Sequence, residues 1–87
     1  MSKYQYLRKL SPSKALLCKN GRLFVASYSV FGNLPEVLVF HSNPVGEVTN
    51  WSEVDGGRGY TSLASFLIEN IEDADRMGDT LQKAFPC

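Results

Sequence analysis

The chain has 87 residues, 44% of them apolar and 21% charged, with nine bases balancing nine acids. That is enough for one hydrophobic core and not two, and the composition is that of an ordinary globular protein rather than a disordered or fibrous one. No apolar run approaches the roughly 18 residues that span a bilayer, and Met1-Ser2-Lys3-Tyr4 lacks the apolar stretch and small-residue cleavage site of a signal peptide, so the reading is cytoplasmic with no membrane partner.

The balanced total hides a split. Residues 1–35 hold Lys3, Arg8, Lys9, Lys14, Lys19 and Arg22 and no acid, whereas residues 36–87 set nine acids against Arg58, Arg76 and Lys83, so the halves carry +6 and −6. The split matters for function only if folding leaves the two fields apart; a helix laid on a sheet would bring them together.

In chain order, Tyr4-Gln5-Tyr6-Leu7-Arg8-Lys9-Leu10 alternates aromatic and polar residues as an edge strand does, with cations that discourage pairing by another chain. Ser11 to Gly21 reads either as a short capped helix or as a strand entering a hairpin. Asn20-Gly21 between two largely apolar segments is a strong hairpin signal, so a strand over 14–19 is expected. Arg22 to Phe31 follows as a long strand with Phe24, Ala26, Tyr28 and Val30 on the face expected to meet the core. Glu36 to Ser42 contains four consecutive apolar residues, Val37-Leu38-Val39-Phe40, between turn signals at Gly32–Pro35 and Asn43–Gly46. It reads as a strand buried on both sides, around which the rest is organised. A shorter strand is expected over residues 47–52.

Gly56-Gly57-Arg58-Gly59 then breaks the strand pattern and reads as a loop whose glycines supply positive φ angles. Thr61 or Ser62 caps a helix whose stripe is Leu63, Phe66, Leu67 and Ile71, and burying those four side chains is worth at most about 6–12 kcal/mol. Ala74, Met77, Leu81 and Phe85 extend the stripe, and Asp73 and Asp75, which favour caps and first turns, place a bend near 71–74. The expected fold is α+β: an antiparallel meander of four or five strands (about 3–10, 14–19, 22–31, 36–42 and 47–52) with one or two C-terminal helices (about 61–72 and 74–84) on one face.

Three function classes compete. His41, the sole histidine, could act as a base beside Cys18 or an acid, and Arg58 in its glycine loop could meet an anion. No nucleophile motif or paired carboxylates support catalysis, and one histidine with the widely separated Cys18 and Cys87 implies neither metal nor cofactor. Lys3, Arg8, Lys9, Lys14, Lys19 and Arg22, interleaved with aromatic residues, offer a nucleic-acid surface, against which stands the balanced net charge. Glu69, Glu72, Asp73, Asp75 and Asp79 crowd one short stretch with like charges at helical spacing and little interleaved lysine. Together with Arg58 they favour a non-enzymatic module that binds a larger protein, of the inhibitor or adaptor kind carried by phage and other mobile elements. The edge strand at 4–10 also offers a surface for a homodimer.

Overall fold

The computed structural model describes residues 3–86; Cys87 therefore lies outside the described residues. Five strands, β1 (Gln5–Ser11), β2 (Lys14–Lys19), β3 (Arg22–Phe31), β4 (Leu34–Ser42) and β5 (Val48–Arg58), form one antiparallel sheet in the order β1-β2-β3-β4-β5. Two helices follow, α1 (Leu63–Asn70) and α2 (Ala74–Ala84). The α+β meander with two C-terminal helices is thus the architecture, β1 lies at one edge, and the chain breaks between the helices where Asp73 stands at the α2 N-cap.

Local chemistry makes the turns. Asn20 (φ 53°) and Gly21 (φ 75°) both occupy the left-handed region, as the two-residue turn joining twisted strands requires, and Lys19 pairs with Arg22 across it. The side-chain oxygen of Asn43 accepts from the backbone N–H of Val45 and of Glu47, which folds residues 43–47 into a compact loop. At the start of α1, Ser62 accepts from the Ser65 N–H while the Ser65 hydroxyl accepts from the Ser62 N–H, a reciprocal cap.

Strand alternation divides the sheet into two faces. Ala15, Leu17, Phe24, Ala26, Val37 and Val39 point one way and are buried beneath Leu63, Phe66, Leu67, Ile71, Leu81 and Phe85 of the helices. The stripe read from the sequence is therefore the surface the sheet receives. Tyr4 sews the start of the chain to the helix junction: its N–H donates to the Asn70 carbonyl and its carbonyl accepts from the Glu72 N–H.

Three expectations need correction. First, β4 is fully buried on one side only: Val37 and Val39 are sealed by the helices, while Leu38 and Phe40 on the other face are half-buried. That outer face has a small cluster of its own, in which Leu16 and Val25 are cross-strand partners and both are buried. The 43–47 loop folds back over this face, with Arg8 donating to the Pro44 carbonyl and Gly46 against Leu10. Second, Val30 does not meet the core; it lies beyond the reach of the helices and is exposed.

Third, the glycine stretch is strand, not loop. β5 continues through Arg58, with Gly56 opposite Leu38 and Gly57 opposite Val37. Neither has a positive φ; among these glycines only Gly59 (φ 82°) does. They are glycines because their neighbours come close. A Cβ on Gly56 would stand 2.5 Å from the Val37 carbonyl oxygen, and one on Gly57 would stand 2.5 Å from the Tyr60 ring. β5 also carries a large bulge. His41 pairs with Asn50 and Val39 with Asp55, so residues 51–54 together oppose Phe40 alone.

Candidate functional site

The tip of the β3–β4 hairpin is where large apolar side chains face solvent together. Gly32 (φ 64°) opens the turn, which sets Phe31 directly opposite Leu34 and Val30 opposite Pro35. Phe31 is 87% exposed, Leu34 66% and Val30 57%. Among the described residues no helix covers this end of the sheet, so the strands carry these residues past the core. Phe31 and Leu34 share the outer face with Glu36 and Arg58, and the four line a shallow depression of about 220 Å³.

Arg58 belongs to this site. It pairs with Glu36 across β4 and β5, and its Nε stands 3.6 Å from a Glu36 carboxylate oxygen, the one salt bridge among the described residues. The guanidinium side chain is 80% exposed, so the pair adds little stability, and its relevance is to what approaches the tip. The structure therefore separates Arg58 from the helical carboxylates with which the sequence reading grouped it.

Those carboxylates form a different surface. Glu69, Glu72, Asp73, Asp75 and Asp79 are all exposed, and none lies within ion-pair distance of a basic group among the described residues. The charge split is thus not cancelled by direct pairing. It is narrowed at one point, where Glu72 shares a cavity with Lys3 and Lys19.

The basic residues do not make one stripe. Arg8 and Lys14 lie opposite Leu16 and Ser27 on the outer face. Lys9 reaches over the Phe85 ring (5.8 Å), and Lys19 over the Tyr4 ring (5.0 Å). Lys3 is exposed near the β2–β3 hairpin, and Arg22 flanks that turn beside Lys19. His41 pairs with Phe24, with ring centroids 5.0 Å apart, and is remote in the register from Arg58 and Glu36. Tyr4 sits beside this pair, its hydroxyl donating to Asp55 (3.1 Å), and its phenol is pushed up to about 12, first by burial and then by the Asp55 charge and hydrogen bond.

Sequence reading missed the hairpin tip. Its signal was present: bulky apolar residues flank Gly32-Asn33 on both sides, at positions where hairpin ends usually carry polar groups. Among the described residues no helix is long and apolar enough to cross a membrane, and no group of three or more potential metal ligands is assembled. Comparison with protein-family models, with curated proteins and with solved structures returned no match.

Proposed function

We propose that the chain is a small non-enzymatic module that binds a larger protein, of inhibitor or adaptor type, and that the β3–β4 hairpin tip is its anchor. The observation that carries this reading is the joint exposure of Phe31, Leu34 and Val30 beside the Glu36–Arg58 pair. Clustered exposed apolar side chains on a protein this small lack a folding rationale and match the anatomy of a contact site: an apolar centre with a charged rim. Transferring Phe31 and Leu34 into a partner's pocket would contribute about 3–6 kcal/mol before the costs of association. The five exposed carboxylates of the helical layer act at longer range, favouring a partner with a basic surface and speeding encounter more than tightening the complex.

The test is affinity capture from host lysate with three immobilised proteins: the unaltered chain, a Phe31→Ser/Leu34→Ser variant and an Asp73→Lys/Asp75→Lys/Asp79→Lys variant. A partner retained by the unaltered chain should be lost with the hairpin variant, whose exposed substitutions leave the circular dichroism spectrum intact. Charge reversal should slow association and weaken its dependence on salt. Undiminished capture by the hairpin variant would exclude the tip as the anchor.

A further inference from the structure

At the end of the sheet away from the hairpin tip, a cavity of about 430 Å³ is lined by Tyr4, Lys19, Asn20, Arg22, Phe24, His41 and Val54. Three features of the fold bring these residues together. The two-residue Asn20-Gly21 turn forces Lys19 and Arg22 to be direct cross-strand partners, so two cations project side by side. Both precede or follow core positions by two residues, Lys19 after Leu17 and Arg22 before Phe24, and so lie on the helix-bearing face beyond its covered part. The β3–β4 register then sets His41 opposite Phe24 on that same face.

Like charges placed opposite one another in a sheet repel, and neither cation has an acid within ion-pair distance among the described residues. Lys19 is half-buried, held over the Tyr4 ring at 5.0 Å. Asp55 of β5, which reaches the Tyr4 side of the cavity, is engaged elsewhere: one carboxylate oxygen accepts from the Tyr4 hydroxyl and the other from the Gly56 N–H. Glu72 shares a neighbouring cavity with Lys19 and is a carboxylate placed to compete for it.

We infer that this cavity is a binding site for a small phosphate monoester. Arg22 presents a planar fork to two phosphate oxygens, and the Lys19 ammonium supplies a second charge-assisted donor. The Asn20 amide and the His41 ring add further polar groups at the rim. The depression is open to solvent and wider than a phosphate group alone, so an organic body attached to the phosphate can lie against the Phe24–His41 ring pair and Val54. The site shares no residue with the hairpin tip, and the two stand or fall separately.

The experiment is a titration of the isotope-labelled full chain with adenosine 5′-monophosphate, followed by amide and side-chain NMR shifts, with adenosine and inorganic phosphate as separate arms. Saturable shifts confined to Lys19, Asn20, Arg22, Phe24 and His41, with inorganic phosphate displacing the nucleotide, are expected. Arg22→Gln and Lys19→Gln together should weaken binding by roughly tenfold or more, and added salt should weaken it as well. Arg22→Gln alone, at an exposed position, keeps the test open should the double variant misfold, and should weaken binding in the same direction. No localised shift at about 10 mM nucleotide, or equal response to adenosine, or binding unaltered in the glutamine variants, would each overturn the assignment.

Discussion

The glycines of β5 and α2 make opposite demands, and alanine substitution separates them. At Gly56 an added Cβ would lie 2.5 Å from the Val37 carbonyl oxygen, where ordinary contact begins at 3.4 Å. The obstacle is backbone held in the middle of the sheet, opposite Gly57, so it cannot rotate aside as the nearby Glu53 side chain can. Relieving it means parting β4 from β5 at a position where Val37 is fully buried. Overpacking of this kind costs about 1–3 kcal/mol, a large share of the ~5–15 kcal/mol that holds a domain together. At Gly78, inside α2, an added Cβ meets nothing within 4 Å, and exchanging glycine for alanine in a helix interior stabilises by about 1 kcal/mol. Urea unfolding followed by circular dichroism measures both. With a slope of about 1 kcal/mol per molar for a small protein, Gly56→Ala should lower the midpoint by roughly 1–3 M and Gly78→Ala raise it by roughly 1 M. A Gly56→Ala midpoint equal to that of the unaltered chain would refute the close-approach explanation.

Other outcomes follow from the caps and the buried phenol. Ser62→Ala removes the hydroxyl that accepts from the Ser65 N–H and should cost about 1 kcal/mol, lowering the thermal midpoint by roughly 4–8 °C. Asp73→Ala should cost only a few tenths of a kcal/mol in the same assay, because Asp73 makes no side-chain cap bond and contributes only through its charge at the start of α2. The Tyr4 phenol, raised from 10.0 to about 12, keeps its proton more tightly folded than unfolded. Its stabilisation is therefore complete below pH 10 and is lost as the pH rises towards 12, with Tyr6, also raised by burial, adding in the same direction. Urea midpoints measured between about pH 9 and 11.5 should fall for the unaltered chain and fall less for Tyr4→Phe.

Features that depend on a few adjacent residues were legible before folding was considered. Asn20-Gly21 dictates its hairpin through backbone conformation alone, and the spacing of Leu63, Phe66, Leu67 and Ile71 states which side of α1 must be covered. The acid-rich 72–75 stretch was enough to place the break between the helices. What escaped was set by neighbours far along the chain. Gly56-Gly57 looks like a loop in any short window, and only the approach of Val37 and Tyr60 explains why a strand needs it. The 43–47 loop that folds back towards the outer face is held by Arg8, 36 residues earlier in the chain, a contact no short window announces. Phe31 and Leu34 were visible as apolar residues, but their exposure follows from how far the helices extend, which hydrophobic periodicity does not encode. Arg58 was singled out as the anion-meeting side chain of a glycine loop, whereas it stands in β5 opposite Glu36, on the face of the sheet away from the helices.

The stitch between Tyr4 and residues 70–72 has a kinetic consequence. Every strand pairs with its sequence neighbour, so the meander grows by successive short ring closures, each fast and each supported by the last. Joining Tyr4 to Asn70 and Glu72 instead closes a ring of roughly 67 residues, whose entropic cost is met only after α1 is seated. Tyr4, just ahead of β1, must therefore wait, hydrated and unmatched along that margin, until residues 70–72 have been made and brought to it.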